Sequence, residues 1–537
     1  MALGPWYALS SWTPVGSVPH WAQPGHTDVG IDAPVPPADR QPECAQDGEG
    51  RIWDVSDTVT RGESKDHLVR GIGLAQATAL NMIDMIGVGP FITIPLMIAT
   101  MHGPQAMLGW ILGAVLVVCD GMVWAELGAA MPQAGGPVRY LRAMYPGKAG
   151  RWLSFLFVFQ LTFSAPLSMA SGCIGFAQYA SYLWPSLAQT ITSQKIPLPI
   201  PGIGAPVIEF TITRGTFLAM GVAAFAVLLL YRRITVIGRM AAFLWIGVIG
   251  TTLWIIGTGL THFNAAQAFS FPAGAWDLSP AFFTGLGGAL LIAVYDYWGY
   301  YNVCYLGAEI RDPGRVIPRA ILLSIAGVAA MYLAMNISIL GAMPWQEVEK
   351  SSFIASDFMA RIWGPRAAVV VTILMLWTAF ASVFSLLLGY SRVPYAAAVD
   401  GDYFPVFARV HPKHHFPHVS LLVLGSAAIV FCLFRLADVV TALVVIRIIV
   451  QFLAQTIGII VLRTRRPDFP RPFRMWLYPL PAILALLGYI YTVVMRPKSI
   501  ESIRLAVLVV IVGTVLFWIR QRQAVARLRN GRKPQSI

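Results

Sequence analysis

The sequence predicts an all-α polytopic membrane protein with twelve transmembrane helices. Three observations predict it. The 537 residues are 56% hydrophobic and only 12% charged, where a soluble domain carries roughly a quarter charged residues. Apolar runs of about twenty residues, the length that spans a bilayer, recur from residue 71 onward. The first five runs also line up with the next five at an offset of roughly 200 to 215 residues. The net charge of +13 would point to nucleic acid in a soluble chain. Here the basic residues fall in alternate loops, which marks topology, and no nucleic-acid partner is expected.

Residues 1–69 are polar and rich in Pro and Gly, and read as a disordered cytoplasmic arm. Trp6, Trp12, Trp21 and Trp53 are unusual for such an arm. It has no apolar core of signal-peptide type, so the first membrane helix is expected to direct insertion. The twelve apolar segments are 71–101, 107–130, 152–184, 215–231, 236–261, 283–307, 320–343, 367–399, 419–434, 438–462, 476–495 and 503–519. The third and eighth are long enough to span with strong tilt. Residues 520–537 form a basic tail.

Charge sets the orientation. With the N-terminus inside, the inner regions hold 28 Lys and Arg and the outer loops 9. This is the positive-inside bias, with both termini cytoplasmic in a cell membrane. The outer loops carry the longer polar excursions, 185–214 and 344–366, and the second reads as a short surface helix. The five cysteines, at 44, 119, 173, 304 and 432, show neither a disulfide framework nor metal-ligand spacing. No metal and no cofactor is expected.

The repeat divides the chain into 70–262, with five spans, 263–462, with five more, and 463–519, with two extra C-terminal helices. Five crossings are an odd number, so the second unit enters from the opposite side and is inverted. Inverted repeats with a broken first helix in each half point to a secondary transporter. Segment six breaks at Asp296-Tyr297-Trp298-Gly299, a carboxylate and a glycine in mid-membrane. Lipid has no water for freed backbone groups, so such a stretch lines a cavity or is buried in protein. Segment one carries the matching break at Ile86-Gly87-Val88-Gly89-Pro90, one turn after Asp84. Gly87 and Gly299 are 212 positions apart, in register with the repeat.

Each break frees helix-end groups. The outer half of segment one, starting near Pro90, offers N–H groups and a positive dipole end to an anion. Carbonyls freed at Ala293, Val294 and Tyr295 can accept from an ammonium. A zwitterion fits between them, which points to an α-amino acid. Asp84 and Asp296 favour a cationic substrate or a proton site, or serve as buried acceptors. Asp120 and Arg447 also lie within spans and are expected to pair with each other or with water. Tyr297 and Trp298, with Tyr295, Tyr300 and Tyr301, are candidates for a gate.

Three loops carry a family resemblance. Residues 126–140, ELGAAMPQAGGPVRY, follow segment two; 307–320, GAEIRDPGRVIPRA, follow segment six; 391–412, SRVPYAAAVDGDYFPVFARVHP, follow segment eight. They resemble the amino acid–polyamine–organocation superfamily of permeases, and the resemblance covers residues 70–520. It implies the five-plus-five inverted repeat of the leucine-transporter type and alternating access. It implies substrate carboxylate at Ile86, Gly87, Val88 and Gly89, and amine at Ala293, Val294 and Tyr295, beside Asp296. The family's Gly-Ser-Gly-Ile-Phe reads Gly87-Val88-Gly89-Pro90-Phe91 here, so carboxylate binding loses a hydroxyl and a donor. The helix-five lysine of sodium-independent members reads Val248. Sodium-coupled relatives use hydroxyls on helix eight, where Ser382 and Ser385 are available for a sodium site or for bonding the helix backbone, so sodium and protons are both candidate coupling ions. The expected activity is amino-acid transport with no enzyme chemistry. A polyamine or other organic-cation carrier is the second reading.

Overall fold

The structure, a computed structural model, describes residues 68–87, 89–197, 207–232, 234–434, 447–495 and 499–529. The expected disordered arm up to residue 67, Val88 of the first break, the beginning of segment ten and the end of the basic tail lie outside the described residues.

The chain runs α1 Leu74–Met85, α2 Gly89–Met101, α3 Met107–Ala130, α4 Pro137–Met144, α5 Gly147–Leu183, the strands β1 Thr190–Pro197 and β2 Val207–Thr213, then α6 Arg214–Leu230 and α7 Ile234–Thr261. It continues with α8 Pro280–Tyr297, α9 Asn302–Tyr305, α10 Pro313–Ala342, α11 Ile354–Trp363, α12 Pro365–Tyr390, α13 Arg392–Val399 and α14 His418–Phe431. A π-helical turn at Ile448–Leu453 leads into α15 Ala454–Arg465, followed by α16 Leu480–Val494 and α17 Ser499–Arg529.

Among the described residues, six helices are long and apolar enough to cross a membrane, and α1 with α2, bent by 43°, makes a seventh. Three shorter apolar helices, α6, α14 and α16, accompany them. The burial pattern is that of a protein dissolved in lipid. Phe217, Leu228, Phe243 and Ile246 are exposed, whereas Asn81, Asp84, Asp120, Asp296 and Arg447 are buried. Lipid accepts apolar side chains and excludes unpaired polar ones. The chain is a mostly helical, multi-pass membrane protein.

Packing centres on α1, which lies against α7, α10 and α12, while α2 lies against α8. α3 packs on both α8 and α10, and α5 packs on α12. The two interrupted helices are thus wrapped by the others.

Two loops differ from expectation. Within residues 185–214, β1 and β2 pair antiparallel, with Thr190 opposite Thr213 and Ile196 opposite Ile208, so the chain is not purely α-helical. The β-branched composition of TITSQKIP and VIEFTIT favours a strand over a loop. The predicted surface helix within 344–366 is α11, but it is half sunk: Ile354, Ala355, Phe358 and Met359 are buried.

Candidate functional site: two helix breaks around one cavity

α1 closes at Met85. The Ile86 N–H donates to Met82 O at 2.7 Å and the Gly87 N–H to Met85 O at 3.0 Å. Gly87 allows a close approach: a Cβ there would stand 2.8 Å from Ser382 Oγ on α12. The chain re-enters helix at Gly89. α8 closes at Tyr297, Trp298 is extended, and Gly299 has φ +125, a conformation that glycine adopts without strain. A Cβ on Gly299 would lie 2.8 Å from the Met85 nitrogen and 2.9 Å from Asp84 Cβ. The two breaks therefore touch.

Side chains satisfy much of the freed backbone. Asn81 on α1 donates to Tyr300 O at 2.6 Å and accepts from the Val303 N–H at 3.0 Å. The Tyr332 hydroxyl on α10 lies 2.5 Å from Met85 O and 3.2 Å from Asp296 O, one carbonyl from each break. Ser385 donates to Leu80 O at 2.8 Å and accepts from Asn302 Nδ2 at 2.8 Å. Asn81, Tyr332 and Asn302 were not singled out from the sequence. The available signal was an amide or hydroxyl inside an apolar run.

A cavity of about 420 Å³ lies where the breaks meet. Asp84, Gly87 and Gly89 line it from one side, Tyr295, Asp296 and Trp298 from the other, with Ser382 and Arg447 completing the polar wall. Of the remaining predicted residues, Ile86, Ala293 and Val294 are buried beside it without lining it. Ala293 packs against Gly113 of α3. α8 extends to Tyr297, so its last-turn carbonyls begin at residue 294 rather than 293; of these, Tyr295 O accepts from the Trp298 N–H at 3.2 Å and Asp296 O lies 3.2 Å from the Tyr332 hydroxyl. Tyr297 turns to α3 and donates to Trp110 O at 3.3 Å. Ser385 is occupied between α1 and α9, while Ser382 reaches the cavity.

Asp296 takes an unexpected position. Its Oδ2 accepts from the hydroxyl of Thr93, the fifth residue of α2. A Cβ on Gly89 would stand 2.8 Å from its Oδ1. The start of α2, which the sequence offered to a substrate carboxylate, faces a carboxylate of the protein itself.

Arg447 and Asp120 do not pair with each other. Asp120 accepts from the Tyr300 hydroxyl. Arg447 Nη1 donates to the Tyr390 hydroxyl at 2.7 Å, and Nη2 to Ser168 Oγ at 3.1 Å and Ser164 O at 3.2 Å. Its Cζ lies 5.2 Å from the ring centres of both Trp298 and Tyr390, within cation–π range. It directly precedes the π-turn, a helix irregularity that recurs at functional sites. Asp84 Oδ1, Asp296 Oδ1, Trp298 Nε1 and Arg447 Nε are all buried without a hydrogen-bond partner among the described residues.

From the breaks the cavity reaches Leu96 and Thr100 on α2, Gly288 on α8, and Leu386 and Tyr390 on α12. Backbone bonds tie nearby loops together. Gly71 N and Ile72 N donate to Glu309 O at 2.9 and 3.0 Å, and Gly135 N donates to Tyr305 O at 3.0 Å. Arg392 grips the Glu309 carboxylate through two bonds of 2.9 Å, with both side chains buried.

The sequence matches the family described as amino acid permease over residues 72–517. It is 25% identical to the human Asc-type amino acid transporter 1, across 86% of this chain and 84% of that protein. It is 22% identical to a branched-chain amino acid permease of Bacillus subtilis, across 87% of this chain and 97% of the relative. An aspartate-proton symporter of the same bacterium is 23% identical across 70% of each. The loops that resembled the amino acid–polyamine–organocation superfamily and the match over 72–517 agree, and the chain belongs to the amino acid permease family of that superfamily, whose members are transporters rather than enzymes.

Proposed function

We propose that the chain is a secondary active transporter that moves amino acids across a cell membrane by alternating access. The solute is held where the broken first and sixth spans meet, among Asp84, Gly87, Gly89, Tyr295, Asp296, Trp298 and Ser382, with Ile86, Ala293, Val294 and Tyr297 shaping the breaks behind them. One observation carries this reading: four buried polar atoms with no hydrogen-bond partner among the described residues belong to residues lining a single cavity at the touching breaks. Buried polar groups are ordinarily paired, and together these form a mixed donor and acceptor lining for a small polar solute. The relatives' names favour amino acids over the polyamine reading.

Within this reading the chain is built as 70–262 and 263–462, two inverted five-span units, followed by two further spans in 463–519. Packing of α10 on α1 and of α3 on α8 supports it, because each half then sets its second span against the other half's first. With both termini cytoplasmic, the cavity lies toward the outer face and the Arg392–Glu309 side toward the cytoplasm.

Purified protein in liposomes, offered labelled amino acids with and without sodium or proton gradients, is expected to show saturable uptake. No uptake of any amino acid, or a flux that never saturates, overturns the reading. For orientation, Lys350→Cys is expected to react with an impermeant maleimide from outside whole cells and Lys413→Cys only after permeabilisation. The four described cysteines are buried, and Cys44 is replaced by Ser; the opposite pattern inverts the topology.

A further inference from the structure

Six carboxyl groups among the described residues are buried: Asp84, Asp120, Glu126, Asp296, Glu309 and Asp402. Three of them face a cation. Arg463 grips Glu126, Arg392 grips Glu309, and Arg142 lies 3.1 Å from Asp402. Two more, Asp84 and Asp296, line the cavity, where a polar solute can meet them. Asp120 has neither compensation. It does not line the cavity, and no cation among the described residues acts on it.

Asp120 sits near the middle of α3 and is fully buried. Its Oδ2 accepts from the Tyr300 hydroxyl, and the Tyr489 hydroxyl on α16 lies 3.5 Å from that of Tyr300. Its Oδ1 has no hydrogen-bond partner among the described residues. Trp124, one turn further along α3, and Thr456 on α15 also approach the carboxyl group. The titratable groups that face it are Tyr300, Tyr489 and the adjacent Cys119. Toward α10 the next residue, Gly121, meets only Ile321 and Ile325. An ionised carboxylate enclosed in this way is a lone charge in a medium of low dielectric, which is costly. A proton neutralises it with no further group.

The site is joined to the breaks through Tyr300. This residue directly follows Gly299, and its carbonyl accepts from Asn81 of α1 at 2.6 Å. A neutral carboxylic acid both donates and accepts, whereas a carboxylate only accepts. Gain or loss of a proton therefore changes what Asp120 asks of the Tyr300 hydroxyl, and Tyr300 passes that change to the point where α1 meets α8. We propose, on the amino-acid transport reading, that Asp120 carries the proton that couples uptake to a proton gradient, at a seat separate from that of the solute. One proton binds the carboxylate from one side of the membrane and leaves it to the other in each cycle, and no bond of the solute changes.

The test uses the full chain in liposomes and a labelled amino acid that the wild type takes up. Two quantities are read: accumulation driven by an inward proton gradient, and counterflow at equal pH on both sides. In the wild type a gradient of about one pH unit is expected to raise accumulation by up to about tenfold, the limit for one proton per solute, and to acidify the lumen as solute enters. Asp120→Asn is expected to lose the gradient-driven accumulation and the acidification while counterflow continues, and Asp120→Glu to keep all three. Asp84→Asn and Asp296→Asn are expected to leave the ratio of accumulation to counterflow unaltered, whatever they do to the rate. A gradient that still drives accumulation in Asp120→Asn overturns the proposal. So does loss of counterflow in step with accumulation, which would make Asp120 structural, and so does loss of the drive alone in Asp84→Asn or Asp296→Asn. Should Asp120→Asn fail to insert, Asp120→Thr, equally unable to take up a proton, is read in the same way. A wild type that takes up no amino acid removes the transport reading and this inference with it; uptake driven by sodium alone, or by neither ion, removes this inference alone.

Discussion

Gly299 backs onto Asp84, with a Cβ on the glycine reaching to 2.9 Å from Asp84 Cβ and 2.8 Å from the Met85 nitrogen. Two helices interrupted more than two hundred positions apart are thus held with one break seated on the other. Gly299→Ala would meet this contact and would force an L residue to φ +125, at about 1–3 kcal/mol from the backbone alone. The expected outcome is a loss of uptake with a lowered Tm in detergent. Gly87→Leu meets Ser382, where even a Cβ would lie 2.8 Å from Oγ. It is expected to abolish uptake while the protein still inserts. Normal uptake in Gly87→Leu would remove the first break from the transport path.

Tyr332 is expected to act as a staple across the breaks, because its hydroxyl lies within hydrogen-bonding distance of Met85 O and Asp296 O. Tyr332→Phe removes the donor; Met85 O keeps the Gly87 N–H, while Asp296 O loses the hydroxyl, at about 1–3 kcal/mol for a buried unsatisfied group. A Tm loss with uptake reduced by about tenfold is expected, since each 1.4 kcal/mol is a factor of ten. Unchanged Tm and uptake in Tyr332→Phe would show that the ring alone, packed on Trp110 and Tyr297, sustains the geometry.

How legible these features were depended on whether they are local. Gly87, Gly89, Asp296 and Gly299 announced themselves because each violates the composition of an apolar span. Apolar runs placed the spans to within several residues at their ends, and the break in segment one fell where Gly-Val-Gly-Pro stands. Which carbonyls come free depended on where α8 ends, and a shift of one or two residues moved Ala293 out of the set. That Asp296 would turn onto the start of α2 was not legible, since it depends on Thr93, 203 positions away. The same holds for Arg447. Its charge could be read, and a partner in Asp120 was the natural guess, but Tyr300 takes Asp120 and hydroxyls take most of Arg447. The hairpin at 190–213 was readable in the β-branched content of its two strands and was passed over because it lay in a loop.

The Arg392–Glu309 pair ties the start of α13 to the loop after α9. Its two parallel bonds of 2.9 Å are joined by Arg392 Nη1 contacts to Leu388 O at 3.0 Å and Ser391 Oγ at 2.8 Å. Removing one partner strands a buried charge, at about 3–5 kcal/mol. Glu309→Gln and Arg392→Met are each expected to lower Tm markedly, and the double variant by less than the sum. Arg392→Lys is not expected to rescue, because an ammonium cannot reproduce the planar fork. Strict additivity in the double-mutant cycle would show that the two residues act separately.

A second charge cluster, outside the spans, gives a pH-dependent prediction. Arg142 contacts Asp402 at 3.1 Å and Asp400 at 3.5 Å, and Arg139 contacts Asp400 at 3.2 Å. Burial raises the Asp402 carboxyl above its ordinary range, with Arg142 and then Arg151 opposing the rise. A carboxyl raised on folding holds its proton more tightly in the native state, so its ionisation erodes stability as pH climbs from the unfolded value through the native one. Arg142→Ala removes the larger of the opposing charges and steepens that erosion. The Tm difference between Arg142→Ala and wild type is therefore expected to be small near about pH 4, where Asp402 is protonated, and larger at about pH 7. The magnitude is of order 1 kcal/mol or less, because Arg142 is partly exposed. A difference that stays constant, or shrinks as pH rises, would mean that Arg142 contributes through packing rather than through its charge on Asp402.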